Sequence, residues 1–463
     1  MPTDFATLSL SPALVAVVGE LGYQHPTPIQ AKGIPLLLAG KDLIGQSKTG
    51  SGKTATFSLP ILQSLAVERR ELQALIICPT RELAAQVGRE MRRLGRKHQG
   101  LSVLELVGGQ PVRPQIDALT RGVHIAVGTP GRLLDHVKRG TLDCANLKTV
   151  VLDEADRMLD MGFGADVESI LRTLPDTRQT VLFSATFPNK IEAISAAYQR
   201  DAVRVTIEDA EDEGATLKQY FLEVLPSEKL AALYWTLERF PHESALLFCN
   251  FKATVSELER ALSMSGISVD RLDGDLEQFQ RDQVLAKFRN QSTRVLIATD
   301  VAGRGIDVQD LELVVNFELP AKTDIYVHRI GRTGRAGKAG VAVSLASKRE
   351  LSKIQAIEQA TGAPVGRLEQ AAGHETDVRA LAVDAKMATV LISGGRKDKV
   401  RPGDILGALT GEAGGLDGSD IGRIEIQDRL SYVAIAKIHA PRAVKSINDG
   451  RIKGKRFRAS LVA

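Results

Sequence analysis

A glycine-rich segment near the N-terminus constrains the fold of this chain more than any other feature. It consists of Ser47-Lys48-Thr49-Gly50-Ser51-Gly52-Lys53-Thr54. Glycines let a backbone wrap around phosphate groups, and the first amide groups of a following helix add positive potential. We therefore expect a helix to begin at Lys53, with Lys53 reaching the β- and γ-phosphates and Thr54 ligating Mg²⁺. The residues assigned to the phosphates are Thr49, Gly50, Ser51, Gly52, Lys53 and Thr54.

An acidic string follows an apolar run farther along the chain. Thr149-Val150-Val151-Leu152 is typical of a buried strand, and Asp153-Glu154-Ala155-Asp156 comes directly after it. We expect Asp153 to hold the metal and Glu154 to polarise an attacking water, because a carboxylate beside the γ-phosphate can orient the nucleophile. Alone, such a tetrapeptide also suits a solvated acidic turn. Together with the glycine-rich segment it predicts an ATPase.

A third element, Gly22–Gln30, lies upstream of the glycine-rich segment. The amide of Gln30 offers a donor and an acceptor, which suits the edge of adenine. Tyr23 offers a stacking face, and Phe5 lies at a plausible distance to pack beside it. In isolation, a proline-rich helix entry with a surface glutamine would be the favoured interpretation.

Composition places the chain among globular proteins of several domains. Its 463 residues predict two to four domains, and its content of 43% apolar and 25% charged residues is ordinary. No apolar run approaches the roughly 20 residues needed to cross a bilayer, and the N-terminus lacks the features of a signal peptide. Cys78, Cys144 and Cys249 are scattered and odd in number, which favours thiols in a reducing cytoplasm over zinc or disulfides. Without an oligomerisation signal, a cytoplasmic monomer is the default expectation.

Basic residues are concentrated at the C-terminal end. Residues 386–463 carry 15 Lys/Arg and 8 Asp/Glu, a net charge of +7, whereas the preceding residues carry 45 and 48, a net charge of −3. This asymmetry suggests nucleic-acid affinity in the tail. On charge alone, a solvated basic surface is an equally open alternative.

Apolar runs alternate with helical stretches through most of the chain, as in α/β proteins with buried parallel strands. We assign one domain to residues 1–207 and a second to 216–362, with a linker at 208–215 and a connector at 363–385. Residues 386–463 instead suggest the order strand, helix, strand, strand, helix, strand. This βαββαβ order fits an RRM-like α/β sandwich, although other small folds share it.

Further short motifs occur in a consistent order. They are Pro79–Leu83, Gly108-Gly109, Thr129–Arg132, Ser184–Thr186, Leu247–Asn250, Gln278–Arg281, Ala298–Asp307 and His328–Arg335. Each is weak alone, but their joint order and spacing resemble the DEAD-box RNA helicases across residues 5–345. The resemblance implies two tandem RecA-like parallel-sheet domains, with ATP and RNA both bound across the cleft between them.

The resemblance also implies roles in ATP hydrolysis. Besides the phosphate residues, the nucleotide group comprises Phe5, Tyr23, Thr27, Gln30, Asp153 and Asp307, the last on the ribose. The catalytic group comprises Glu154, Ser184, Thr186, Arg332 and Arg335. Here Ser184 and Thr186 would couple hydrolysis to strand separation, and the two arginines would be fingers from the second domain. Because a finger contributes about 10³–10⁵ in rate, we expect ATPase activity to rise when RNA stabilises the closed state.

A further group is implied to grip the RNA backbone. It comprises Thr80, Arg81, Gly109, Thr129, Gly131 and Arg132, with Asn250, Gln278, Arg281, Thr299 and Arg304 in the second half. Backbone contact implies binding that is independent of base sequence, and 2′-OH contacts favour RNA. The family often has His-Gly-Asp where this chain has Asp273-Gly274-Asp275, which puts an acidic residue near the expected RNA face.

The C-terminal sequence resembles the RNA-binding domain of the bacterial DbpA/YxiN helicases over nearly all of residues 386–463. The matching stretches are Met387–Lys397, Arg401–Thr410, Asp420–Ile424 and Gly450–Arg458. That group binds a hairpin in the peptidyl-transferase region of 23S rRNA and assists large-subunit assembly. Two basic clusters, which include Arg396, Lys397, Lys453 and Lys455, would neutralise phosphate. Tyr432 suits packing in the sheet and stacking on a base equally well.

The expected function is an RNA-stimulated ATPase that uses ATP and Mg²⁺ to unwind RNA locally. Its expected partners are 23S rRNA and large-subunit assembly intermediates, with no membrane partner. A general RNA remodeller is one alternative, although the DbpA-like tail argues against it. A non-unwinding ATP-dependent RNA clamp is another, and the complete catalytic group argues against that.

Overall fold

The computed structural model describes residues 4–47, 51–184, 186–187, 189–207, 217–303, 311–334, 339–370, 376–411 and 414–462. The chain divides into two compact units near residue 212. Within the described residues, no helix is long and apolar enough to cross a membrane. Cys78, Cys144 and Cys249 are free and buried.

The first unit is built on one parallel sheet. Its strands are β1 (Leu43–Gln46), β2 (Ala74–Ile77), β3 (Val103–Leu106), β4 (Ile125–Gly128), β5 (Thr149–Leu152), β6 (Gln179–Ser184) and β7 (Val203–Thr206). They lie in the order β3-β4-β2-β5-β6-β1-β7. The helices are α1 (Pro12–Glu20), α2 (Pro28–Leu38), α3 (Lys53–Ser64), α4 (Arg81–Leu94), α5 (Val112–Thr120), α6 (Pro130–Lys138), α7 (Ala155–Asp160), α8 (Gly164–Leu171) and α9 (Asn189–Tyr198).

Burial on both faces explains the apolar runs of this sheet. Every residue of β2, β4 and β5 is buried, as expected for parallel strands covered by helices on two sides. Along β5, Val151 packs in one core while Val150 and Leu152 pack in the other. The carboxyl ends of β1, β2, β4, β5 and β6 therefore meet at one edge, where open α/β sheets bind ligands.

The second unit contains a sheet of the same design. Its strands are β8 (Leu217–Glu223), β9 (Ala245–Cys249), β10 (Val269–Leu272), β11 (Val295–Thr299), β12 (Leu313–Asn316), β13 (Gly340–Ala346) and β14 (Gly366–Leu368). Their order, β10-β11-β9-β12-β13-β8-β14, repeats that of the first sheet strand for strand. The helices are α10 (Lys229–Arg239), α11 (Lys252–Met264), α12 (Gln278–Arg289), α13 (Asp300–Gly303), α14 (Thr323–Ile330) and α15 (Leu351–Thr361). Strand β14 lies in the stretch expected to be a connector, where sequence patterning is weak because the strand is short and largely exposed.

The last part of the second unit is a four-stranded antiparallel sheet with two helices. It runs β15 (Met387–Ile392), α16 (Pro402–Thr410), β16 (Ile421–Ile426), β17 (Ser431–Ala436), α17 (Ala440–Asp449) and β18 (Ala459–Leu461). The strands lie in the order β16-β17-β15-β18. Val390, Ile392, Val433 and Ile435 pack on one face in a core shared with the helices. The expected βαββαβ order is confirmed.

Candidate functional site

The glycine-rich segment follows β1 and ends where α3 begins at Lys53, as expected. Gly52 has a φ of 95°, and a Cβ atom there would lie 2.4 Å from Nε2 of Gln30, so the position requires glycine. Lys53 is buried and its Nζ donates to the carbonyl oxygen of Ser47 at 2.9 Å. Ser51 and Thr54 are half-buried. Thr49 and Gly50 lie outside the described residues.

Gln30 and Thr27 hold the backbone of the glycine-rich segment. The Gln30 side chain accepts from the Thr27 amide at 2.9 Å and donates to the Gly52 carbonyl at 3.2 Å. The Thr27 hydroxyl donates to the Ser51 carbonyl at 2.7 Å. Gln30 is therefore a buried residue at the site and not a surface glutamine.

The two aromatic residues upstream contact each other. The rings of Phe5 and Tyr23 meet edge to face, with centroids 6.0 Å apart and an interplanar angle of 88°. The Tyr23 hydroxyl donates to Oε1 of Glu90 at 2.6 Å, and burial, with the Glu90 contact, raises the pKa of Tyr23. Phe5 is buried, so Tyr23 is the more accessible ring of the pair.

Asp153 sits at the carboxyl end of β5 with an oxygen that is suited to a cation. The residue is buried, and its Oδ1 accepts no hydrogen bond from any residue that the structure describes. Burial raises the pKa of Asp153 to about 6, although the charge of Lys53 lowers it. A buried acceptor without a donor is costly unless a ligand satisfies it, so the site fits Mg²⁺.

Glu154 adopts an unusual backbone conformation next to Asp153. Its φ of 52° and ψ of 53° are left-handed, which is uncommon for a residue with a side chain and often marks a functional site. Arg157, one turn along α7, donates from Nη1 to Oε2 of Glu154 at 2.5 Å, and both side chains are buried. Arg157 was not assigned a role from sequence, although its position three residues after Glu154 places the two side chains on the same side of a helix and so predicts their contact.

Asp156 joins the acidic string to the end of β6. Its Oδ2 accepts from the amide and the hydroxyl of Thr186, at 2.9 and 3.0 Å. Its own amide donates to the Ser184 hydroxyl at 3.3 Å, and that hydroxyl donates to the Thr186 carbonyl at 2.6 Å. Asp156 was missed by sequence reasoning because its partners lie some 30 residues away.

The residues assigned to RNA in the first unit lie on loops and in the first turns of helices that follow the strands at the same edge. Thr80 caps α4 by accepting from the Leu83 amide at 3.2 Å. The Arg81 guanidinium lies against Gly109, where φ is 74° and a Cβ atom would be 2.0 Å from Nη1. Thr129 precedes α6, which also carries Gly131.

Arg132, the last of this group, points to the loop before α5. It donates from Nη1 to Gln115 Oε1 at 2.8 Å and from Nη2 to the Gln110 carbonyl at 3.1 Å. Nε2 of His136 lies 3.0 Å from the same Gln115 oxygen. The loops that follow β3 and β4 are thus joined through side chains.

In the second unit, Arg329 connects the ends of three neighbouring strands. It donates to both oxygens of Asp300 at 2.6 and 2.8 Å, to Asn316 Oδ1 at 3.1 Å and to Asn250 Oδ1 at 2.8 Å. It also donates to the Glu318 carbonyl at 2.7 Å. Arg329 was not assigned a role from sequence, and it fixes Asn250 at the end of β9.

The other assigned residues of this unit lie nearby or outside the description. Thr299 ends β11, and Gln278 opens α12, where its amide donates to Asp282 at 3.0 Å. Arg281 donates to the carbonyl of Ala302 at 2.5 Å, and Arg332 is buried after α14. Arg304, Asp307 and Arg335 lie outside the described residues.

Asp273, expected near the RNA face, is only 2% exposed. Its Oδ1 accepts from the Asp275 amide at 2.8 Å, and its Oδ2 lies 3.6 Å from Nε of Arg271. Asp273 therefore closes a turn after β10 with a buried carboxylate, and its place near the RNA face stays a prediction.

The two basic clusters of the C-terminal domain are neighbours in space. Nζ of Lys453 donates to the Lys399 carbonyl at 3.3 Å, across 54 residues of sequence. Arg396 and Lys397 lie within 3.4 and 3.6 Å of the Asp428 carboxylate. The exposed side chain of Lys455 lies on the same loop as Lys453. Tyr432 is fully buried, so of its two open interpretations the structure supports packing.

Comparisons with known proteins agree with this architecture. The sequence matches the DEAD/DEAH box helicase family over residues 27–194, the helicase conserved C-terminal domain over 228–337 and the DbpA RNA binding domain over 389–461. The ATP-dependent RNA helicase DbpA of Escherichia coli (strain K12) is 46% identical over 461 residues, which are 99% of this chain and 100% of that protein.

More distant relatives share the first two domains. The DEAD-box ATP-dependent RNA helicase CshA of Bacillus cereus is 44% identical over 367 residues, which are 79% of this chain and 70% of that protein. The solved structure of S. cerevisiae Dbp5 bound to RNA and ADP BeF3 is 32% identical, with a TM-score of 0.71, and covers 79% of this chain and 95% of that one. The expected pair of RecA-like domains followed by an RNA-binding sandwich is confirmed. This chain belongs to the DEAD-box ATP-dependent RNA helicases, in the group that carries a DbpA RNA-binding domain.

Proposed function

We propose that this helicase acts on 23S rRNA near the peptidyl-transferase hairpins during assembly of the 50S ribosomal subunit. It would work as a cytoplasmic monomer with ATP and Mg²⁺. The observation that carries the proposal is the DbpA RNA-binding domain at residues 389–461, together with the adjoining basic loops around Lys399 and Lys453. Such loops bind phosphate and would make affinity for RNA fall with salt.

Binding of ATP would change the partners of the side chains at the nucleotide site. Lys53 would leave the Ser47 carbonyl for the β- and γ-phosphates, while Gln30 and Tyr23 would face the adenine. The Thr54 hydroxyl and the Asp153 carboxylate would hold Mg²⁺. When bound, Mg²⁺ would neutralise charge on the β- and γ-phosphates.

Glu154 would orient and polarise the attacking water. Arg157 supports this role because it fixes the direction of the Glu154 carboxylate within a buried site. Arg332 and Arg335 would complete the site from the second RecA-like domain, and Asp307 would contact the ribose. Hydrolysis would then depend on closure, which is how RNA would stimulate it.

The contacts of Asp156 support a coupling role for Ser184 and Thr186. The Asp156 carboxylate accepts hydrogen bonds from both the amide and the hydroxyl of Thr186. A displacement of the acidic string would therefore also displace the chain at the end of β6. The backbone of one RNA strand would be held by the groups around Arg81, Arg132, Asn250 and Arg281. Bending that strand on closure would separate a short duplex without long-distance translocation.

The test is the steady-state ATPase rate of the full chain with no RNA, with poly-uridine RNA and with a 23S rRNA fragment that spans the peptidyl-transferase hairpins. We expect selective stimulation by the fragment, lost when residues 386–463 are deleted. Equal stimulation by all RNAs would favour a general remodeller. Stimulated hydrolysis without displacement of a short duplex would favour a non-unwinding clamp.

A further inference from the structure

One face of the C-terminal sheet is covered by another part of the chain. An antiparallel sheet with one open face shows alternating burial along its strands. In β17, however, all residues from Ser431 to Ile435 are buried. Val433 and Ile435 belong to the core of the domain itself, so Tyr432 and Ala434 on the opposite face need a different cover.

Helix α12 of the second RecA-like domain and the turn after it supply that cover. Nη2 of Arg289, the last residue of α12, lies 2.8 Å from Oε2 of Glu425 on β16. Nδ2 of Asn290 donates to the Thr389 hydroxyl at 3.2 Å, and Oγ of Ser292 lies 2.6 Å from the same hydroxyl. Three polar contacts, from Arg289, Asn290 and Ser292, therefore join the end of α12 and the turn after it to the sheet.

The strand register places these contacts on the face opposite the core. Tyr432 pairs with Glu425, and Ala434 pairs with Thr389. Paired residues of neighbouring strands point to the same side of a sheet. Burial raises the pKa of Tyr432, and the charge of Asp282 on α12 raises it further, in agreement with α12 lying over this ring.

The ion pair in this interface is largely withdrawn from solvent. The side chains of Arg289 and Glu425 are 9% and 14% exposed. Exposed pairs contribute little, but loss of one partner from a buried pair leaves an uncompensated charge. Leu381, in the preceding connector, packs on the core of the second RecA-like domain and adds an apolar anchor.

The same helix carries residues assigned to RNA at its other end. Gln278 and Arg281 lie in its first turn, and Arg289 ends it after 12 residues. A continuous helix of this length spans about 18 Å and does not bend easily. It thus links the RNA contacts of the core to the RNA-binding domain at a set distance.

We propose that α12 is a rigid support that holds the RNA-binding domain in one position on the second RecA-like domain throughout the ATPase cycle, with Arg289 and Glu425 as positioning residues. An rRNA element held by the basic loops would then be presented to Gln278 and Arg281 in one geometry. This rests on the proposed rRNA function. If the RNA-binding domain were instead held only by a flexible connector, the RNA concentration near the core would depend only on the length of that connector.

The first test locks the interface with a disulfide. The 2.6 Å between the hydroxyls of Ser292 and Thr389 brings their Cβ atoms close to disulfide range, so the pair S292C and T389C should crosslink on oxidation. We expect the crosslinked full chain to keep ATPase stimulation by the 23S rRNA fragment within about twofold of its reduced form. Failure to crosslink would overturn the docking, and loss of stimulation that reductant restores would show that docking is an inactive state.

The second test reverses the charges. R289E and E425R should each raise the concentration of the fragment needed for half-maximal stimulation by at least about tenfold, because the two RNA sites lose their shared geometry. Direct binding of the isolated hairpin should stay within about twofold, and the R289E/E425R double variant should recover. R260E, which reverses an exposed charge on α11, is the matched control and should behave as wild type.

The two proposals fail in different ways. If the fragment does not selectively stimulate the wild-type chain, the rRNA function fails whatever the variants do. If stimulation is selective but the single reversals leave it unchanged, or the double reversal gives no recovery, only the positioning role of α12 is overturned.

Discussion

The two parallel sheets have the same strand order, and the corresponding strands β5 and β12 end in opposite situations. Beyond β5, the buried Oδ1 of Asp153 accepts no hydrogen bond from the described residues. At the end of β12, the Arg329 guanidinium donates to Asn316 Oδ1 and to the carbonyl of Glu318. Among the described residues, the acceptor beyond β5 has no donor, whereas the acceptors beyond β12 are satisfied by an arginine of the same domain.

The physical reason for the contrast is the cost of burying charge. A buried carboxylate is stable only when a cation or donors satisfy it. The first RecA-like domain carries that cost where ATP and Mg²⁺ are proposed to bind. In the second, the guanidinium of Arg329 satisfies the carboxylate of Asp300 and the carbonyl of Glu318.

The largest expected effect comes from removing a proposed arginine finger of the second RecA-like domain. We expect R335A to lower the RNA-stimulated ATPase rate by about 10³–10⁵-fold with little change in ATP affinity. Single-turnover hydrolysis and nucleotide binding by fluorescence would measure both. The exposed Arg349 gives the control R349A; a near wild-type rate for R335A would move the finger role to Arg332.

On the first domain, E154Q keeps the shape of the side chain but removes its charge. We expect turnover to fall by about 10²–10⁴-fold, because the water loses its orienting base, while binding of ATP and RNA is kept. D160N, at an exposed position of α7, is the control in the same rate and binding assays. Normal hydrolysis by E154Q would refute the catalytic role.

Removing the buried guanidinium of Arg329 tests the second domain's side of the comparison. R329M would leave the Asp300 carboxylate and the Glu318 carbonyl without the donors that Arg329 supplies. We therefore expect the free energy of unfolding to fall by about 3–5 kcal/mol. Trp235 is the only tryptophan of the chain and is buried in α10, so its fluorescence during urea unfolding reports this domain. R349M should change stability by less than about 0.5 kcal/mol, and an equal effect of both variants would contradict the contrast.

The smallest expected effect is an increase in the free energy of unfolding, and its size depends on pH. The pKa of Asp153 is raised from 3.8 to about 6 in the folded chain, so its ionisation costs no stability below pH 3.8 and the full cost above pH 6. D153N should therefore stabilise the free protein by up to about 3 kcal/mol at pH 8 and by little at pH 4. Calorimetry would measure this, and Mg²⁺ with ATP should stabilise only the wild type. An equal gain at both pH values would exclude the ionised carboxylate as the cause.

Local patterns allowed much of the fold and site to be predicted. The start of α3 at Lys53 and the buried strand before Asp153 follow from glycine placement and from apolar runs, which depend on neighbouring residues. The roles of the site residues remain predictions. Arg157 was within reach of sequence reasoning, since its partner lies one helical turn away.

Other features depend on contacts between distant parts of the chain. Asp156 meets Thr186, and Arg329 meets Asn250, only because parallel strands bring their carboxyl ends to one edge.

By itself, the sequence determined the two α/β domains, the βαββαβ order and the family, because glycine positions, strand periodicity and motif order are local or sequential properties. Only the tertiary structure decided that the buried Oδ1 of Asp153 meets no donor among the described residues and that Arg329 fills the equivalent edge of the second sheet. The same holds for the cover that the end of α12 and the turn after it give to the Tyr432 face. Each of these is a matter of burial and pairing, and the cost of a buried charge or polar group depends on which distant residue reaches it.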